Sequence, residues 1–175
     1  FFVVLTYFFL TSSIKAKETW IIDKELSTIE FEVPVLIAKN VKGYFKEVDG
    51  LIELNIDSSG RNKAIFYVKI DSIEINHNKY KDLLLSNIFF DYKNYPLALL
   101  DTKSFFYKGG DDLHLKADFN IKGISKTIPL KITITYLTDD FAQIKSELTF
   151  SRNDFNIGIG KWSSTKILKD KVTLK

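Results

Sequence analysis

Leu113–Tyr136 reads LHLKADFNIKGISKTIPLKITITY, and its rhythm decides the fold. Leu113, Leu115, Ala117, Phe119 and Ile121 alternate with His114, Lys116, Asp118, Asn120 and Lys122. Farther on, Ile128, Leu130, Ile132, Ile134 and Tyr136 alternate with Pro129, Lys131, Thr133 and Thr135. A period of two sends successive side chains to opposite faces of a strand, so each segment has a dry face and a wet one, as antiparallel strands over a core do. A third segment repeats the pattern, with Ala142, Ile144, Leu148 and Phe150 against Gln143, Lys145, Glu147 and Thr149.

Toward the N-terminus, Lys108-Gly109-Gly110-Asp111 predicts a turn that folds the strand Leu97–Tyr107 back as a hairpin. Lys63–Ile75 reads as one long strand whose phase slips before Ile73, which predicts a bulge. Thr19–Asp23, Thr28–Val33, Val41–Lys46 and Leu51–Asp57 read as shorter strands, the last two joined through Glu47-Val48-Asp49-Gly50. Leu36–Asn40 is a loop or a turn of helix, and Ser58–Asn62 is a turn. Beyond the opening stretch, Asn153–Gly160 is a Gly-punctuated loop and Thr165–Leu174 supplies a strand that closes the sheet. Eight or nine strands joined mainly by short connections predict an all-β chain and favour an up-and-down antiparallel barrel over a two-sheet sandwich.

Asn78–Pro96, NKYKDLLLSNIFFDYKNYP, breaks the two-residue rhythm and predicts a short helical insertion. Leu83, Leu84, Leu85, Ile88, Phe89 and Phe90 form an apolar block that must bury its face, and the mouth of a closed sheet is the place for it. There it either plugs the barrel end as core or lids a cavity, with a mild lean toward the lid.

With 175 residues, 45% hydrophobic and 27% charged, the chain is predicted to fold as one domain with a substantial core. Its 25 Lys and Arg are interleaved with 22 Asp and Glu, which argues against nucleic acid as a partner. Phe1–Leu10 carries one polar side chain, Thr6, and suits the apolar region of a secretory signal; cleavage is expected after Ala16, leaving 17–175 as the mature domain. An uncleaved anchor or an N-terminal strand is the alternative.

No catalytic set emerges. Cysteine is absent, which removes disulfides, thiolate nucleophiles and cysteine metal sites. His77 and His114 have no second ligand at metal spacing, and Ser86, Ser151 and Ser163-Ser164 lack a nucleophile elbow. Asp111-Asp112 and Asp139-Asp140 sit in turns as solvated loop residues do. Apolar cargo explains the 15 Phe and 8 Tyr more economically, since each methylene moved from water into an apolar pocket gains about 0.8 kcal/mol. The same inward side chains would equally fill a solid core, and periodicity does not separate the two.

Several segments, taken in order, resemble the YceI-like family. They are Ile29-Glu30-Phe31-Glu32-Val33; Val41–Gly50, VKGYFKEVDG, beside the family's V-x-G-x-F-x-x-F-x-G; Phe89-Phe90-Asp91 with Tyr95-Pro96; Asp118–Leu130; and Ser151–Gly158, SRNDFNIG. The resemblance implies an extended antiparallel eight-stranded lipocalin-like β-barrel in the bacterial periplasm that holds a polyisoprenoid, such as an isoprenoid quinone or polyprenyl lipid, without catalysis. It implies no cofactor beyond the bound lipid. Transient contact with a membrane surface and a homodimer are left open, as are two rivals: a filled barrel working through its surface, and an enzyme acting on a lipid headgroup.

On this reading the cavity is expected to be lined by Phe31, Val33, Val41, Phe45, Phe66, Val68, Ile70, Leu84, Phe89, Phe90, Phe119, Ile121, Phe150 and Phe155. Arg152 and Asp154 are expected as polar or structural partners near a rim. Where the family tends toward R-D-x-H-L-x-S, this chain has Tyr80-Lys81-Asp82-Leu83-Leu84-Leu85-Ser86, so Leu83 and Leu85 replace polar positions and headgroup preference is expected to differ. Asn156 stands for a usual Gly, a mild change because Asn tolerates left-handed backbone.

Overall fold

A computed structural model describes residues 18–34, 40–54, 62–138 and 140–175. The expected signal segment 1–16 and most of the expected loop at 36–40 and turn at 58–62 lie outside the described residues.

Eleven strands form one antiparallel sheet: β1 (Glu18–Ile21), β2 (Ile29–Val33), β3 (Val41–Phe45), β4 (Val48–Leu54), β5 (Lys63–Lys69), β6 (Ile73–Ile75), β7 (Leu97–Asp101), β8 (Asp112–Ile121), β9 (Ile124–Leu137), β10 (Ala142–Ser151) and β11 (Lys171–Leu174). Their order is β1-β4-β5-β7-β8-β9-β10-β11-β2-β3-β6. The chain itself joins the two ends of that order. β3 runs into β4 through Lys46-Glu47, and β5 runs into β6 through a 3-10 turn at Ile70–Ser72. β4 pairs with β5 and β3 with β6, so these are two arms of one bent hairpin. In the same way β1 lies on β4 and β2 on β3. The eleven strands exceed the eight expected, in part because the bent hairpin is counted as four segments, and the sheet curls into the expected antiparallel barrel.

The bend explains two departures from the sequence reading. The expected bulge in Lys63–Ile75 is a corner: Ser72 Oγ donates to the Lys69 carbonyl at 2.7 Å and accepts from the Glu47 amide at 3.1 Å, fixing both chains where they turn together. The expected turn at Glu47–Gly50 is mostly strand, with Val48 and Gly50 inward and buried in β4. Gly50 suits a turn by composition, but it is needed because a Cβ there would lie 2.5 Å from the Ile65 carbonyl of β5.

The Leu97–Tyr107 strand ends early, at Asp101. Thr102 is buried and exchanges hydrogen bonds with Ala64, and Phe105 bridges to Asn62, so the chain goes on alongside β5, one residue out of register, before it turns back into β8. The expected hairpin is formed, with β7 paired antiparallel to β8 and Gly109 and Gly110 at positive φ in the connection. A tight hairpin joins β8 to β9 through Lys122-Gly123, both with positive φ (53° and 73°), the primed geometry whose twist matches the flanking strands. Inward residues of β8 to β11, Ala117, Phe119, Leu130, Leu148, Phe150 and Val172 among them, form the buried core, as their alternation predicts.

Candidate apolar cavity

The helical insertion sits over one end of the barrel. A 3-10 turn, Asn78–Tyr80, leads into α1, Lys81–Leu85. Ser86 ends the helix by donating its Oγ to the Leu83 carbonyl at 2.6 Å while its amide bonds the Asp82 carbonyl. The chain then turns on itself, with Asp91 in the left-handed region at φ 52°. Phe89 is buried and meets Trp162 edge-on at 5.7 Å, and the Gly158 and Ile159 amides both donate to the Ile88 carbonyl. The β8–β9 hairpin tip locks this arrangement. Lys122 Nζ donates to the Asn87 and Asn156 carbonyls, each at 2.8 Å, and the Tyr95 ring lies where a Cβ on Gly123 would fall.

Leu83, Leu84, Leu85 and Phe90 pack on the core yet stay half-buried, and no residue of α1 is fully buried. Beneath them lies a cavity of 1410 Å³, which Leu83, Leu84, Phe89 and Phe90 line from the insertion side. The insertion is thus a lid. At roughly 30 Å³ per methylene-sized group, a cavity of this volume has room for on the order of 40 heavy atoms.

Phe31, Val33, Val41 and Phe45 line the cavity from β2 and β3, and Phe66, Val68 and Ile70 from β5 and its corner. Phe119, Ile121, Phe150 and Arg152 complete the set that the sequence brings together there. Phe155 stands outside it: 1% exposed, it packs edge-on against Phe119 (5.3 Å) and Phe150 (5.4 Å) and backs the wall. Asp154 is exposed and does not line the cavity.

Arg152, expected near a rim, is 1% exposed. Its guanidinium bonds the carbonyls of Lys169 (2.9 Å), Ile157 (2.9 Å) and Leu168 (2.8 Å) and Asn153 Oδ1 (3.1 Å), with longer contacts to Gly158 and Ser163 carbonyls. Burial pushes its pKa below the usual value and Asp170 works in the opposite sense. The side chain staples the 152–158 turn to the 163–169 segment. Asn156 closes that turn at φ 53°, the left-handed backbone its substitution for Gly required.

Wall residues missed in sequence include Leu130, Ile132, Ile144 and Leu148, inward members of alternations already read, and Trp162, which no periodicity marks. Polar residues His77, Lys79 and Tyr80 were also missed. Among the described residues no three His, Cys, Asp or Glu side chains gather as for a metal ion.

A family model described as the YceI-like domain matches residues 20–175. The protein YceI of Escherichia coli is 27% identical over 143 residues, covering 78% of this chain and 74% of its own. The crystal structure of Burkholderia cenocepacia BcnA shares the fold at TM-score 0.78 and 22% identity, over 87% of this chain and 94% of that one. A polyisoprenoid binding domain from Saccharophagus degradans, implicated in plant cell wall breakdown, does so at TM-score 0.70 and 12% identity, over 91% and 95%. With the match running through nearly every described element of the barrel and its lid, the chain belongs to the YceI-like family.

Proposed function

We propose that this protein is a periplasmic, non-catalytic carrier of a long prenyl-chain lipid of the quinone or polyprenyl type, with the tail held in the lidded cavity. The observation that carries the reading is the 1410 Å³ space walled by Phe, Leu, Ile and Val from both the barrel and the insertion. A filled barrel would leave no such volume, and a drug-sized ligand needs about 300–1,000 Å³. At about 0.8 kcal/mol per buried methylene, a tail of several prenyl units needs few polar contacts to be retained. The polyisoprenoid binding domain among the structural neighbours supports the class of cargo.

The test is native mass spectrometry of protein purified from a bacterial periplasm, with mass spectrometry of its organic extract. A stoichiometric prenyl lipid on a chain beginning at Lys17 is expected. A protein that is empty and takes up neither quinone nor polyprenol overturns the reading.

A further inference from the structure

Resting on the carrier reading, we propose that His77, Lys79 and Tyr80 read the head of the bound lipid and select one presenting hydrogen-bond-accepting oxygen, a phosphate or a quinone carbonyl. Most of the cavity wall is carbon, and charged side chains reach it in few places. Arg152 has no free donor, because its N–H groups are turned to main-chain carbonyls and Asn153. Lys131 and Lys175 are held by Asp112 at 3.1 Å and Glu147 at 3.9 Å, and Lys145 shares that stretch of wall with Glu30 and Glu147, so this side is balanced in charge.

Beside Leu83 and Leu84 the balance is different. The His77 and Tyr80 rings stand edge to face at 6.3 Å, and Lys79 Nζ lies 5.0 Å from the Tyr80 ring centroid. Lys79 makes no ion pair among the described residues. The neighbouring carboxylate, Glu74, is taken by Lys46 and Lys81, each at 3.5 Å, and Asp82 is exposed and does not line the cavity. An ammonium, an imidazole and a phenol therefore meet the apolar wall with no carboxylate lining the cavity beside them. An oxygen-bearing head placed there gains donors, while a bare hydrocarbon gains nothing.

The full chain, stripped of lipid and carrying Trp20→Phe so that Trp162 is the sole tryptophan, is titrated with a prenyl phosphate, a prenyl quinone and a polyprene hydrocarbon of equal length, read by fluorescence and native mass spectrometry. Both headed ligands are expected to bind at least about tenfold tighter than the hydrocarbon, the worth of a charge-assisted hydrogen bond. The triple variant H77L/K79M/Y80F, which carries no side-chain donor at these positions, is expected to lose that preference and to bind all three ligands alike. Added salt weakening the phosphate arm alone separates the two head chemistries. Equal binding of all three ligands by the native protein, or equal loss of all three in the variant, overturns the head-reading site and leaves the carrier reading standing. Failure of all three to bind the native protein overturns the carrier reading, and the head-reading site with it.

Discussion

Arg152 offers the sharpest test of how the lidded end of the barrel is held. Replacing it with Met keeps most of the side-chain volume and removes the guanidinium fork. Three main-chain carbonyls, those of Ile157, Leu168 and Lys169, lose a partner at 2.8–2.9 Å. The guanidinium itself is 1% exposed, so water has little access to replace it. An orphaned buried acceptor costs ~1–3 kcal/mol, so three of them, offset by relief of the buried charge, set the expected loss at about 3 kcal/mol. For a chain of this size that is a fall in Tm of roughly 6–12 °C. Urea unfolding followed by tryptophan fluorescence and by circular dichroism measures it, with hydrogen exchange reporting whether 157–170 opens first. Arg152→Lys keeps the charge but not the planar fork, and is expected to recover less than half of the loss. An Arg152→Met protein within ~0.5 kcal/mol of the native one would refute the staple, since no truly orphaned set of three carbonyls is that cheap.

Other perturbations separate wall from core and fix the pH limits. Phe66→Asp, at a half-buried position with no ring neighbour among the described residues, is expected to abolish lipid retention in a protein that still folds, checked by circular dichroism and native mass spectrometry. Phe119→Ala, by contrast, breaks contacts to Phe150 at 5.1 Å and Phe155 at 5.3 Å and is expected to cost about 3–5 kcal/mol in urea unfolding. Gly123→Ala meets a φ of 73° and the Tyr95 ring at 2.6 Å, so Tyr95→Ala is expected to relieve the clash but not the backbone strain, and a double-mutant cycle reads the split. The Asp118 carboxyl, bonded by Lys103 and Thr127, and the Asp112 carboxyl, bonded by Thr133 and Lys131, are held below the ordinary 3.8. Stability from these groups is present above their unfolded values and is lost as pH falls through the folded ones, so urea midpoints are expected to drop below about pH 4. Asp118→Asn is expected to make that acid limb shallower; a limb left as steep would refute the assignment.

The strands of the C-terminal half were legible because each has one face in water, so composition reports phase directly. The corners were not. At Ile70–Ser72 the sequence shows a slip of phase, but a slip does not say that β5 and β6 pair on with different arms of the bent β3–β4 strand, which is a matter of distant partners. Asp49-Gly50 has turn composition, and the requirement it meets is a close approach of Ile65, which only the folded sheet reveals. Arg152 was noticed as a polar residue near an apolar wall, yet its partners are main-chain carbonyls, which carry no residue identity for a sequence to display.

The harder distinction, cavity or filled core, lies outside periodicity altogether. Phe119 and Phe66 occupy the same inward phase on strands of one barrel, and their fates differ by what stands opposite. Phe119 meets Phe150 and Phe155 at ring-contact distance and is 5% exposed. Phe66 faces the space under the lid and is half-buried. Inwardness is a local property that alternation encodes, whereas closure depends on whether the summed side-chain volume matches the space the barrel encloses. Here Phe119, Phe150 and Phe155 close ring against ring behind the β8–β10 wall, while Phe31 and Phe45 of β2 and β3 reach Phe90 of the insertion, and the leucines of α1 above the space are themselves half-buried. A helix whose apolar face stays half-exposed above apolar walls keeps its hydrophobic surface only partly removed from water, and on the proposed carrier reading a bound prenyl tail would supply the missing burial. Lipid binding is therefore expected to stabilise the lid more than the β8–β10 wall. Hydrogen exchange of the empty and loaded protein tests this: protection rising most at 81–92 is the expected result, and protection rising equally along β8–β10 would refute a lid ordered by the ligand.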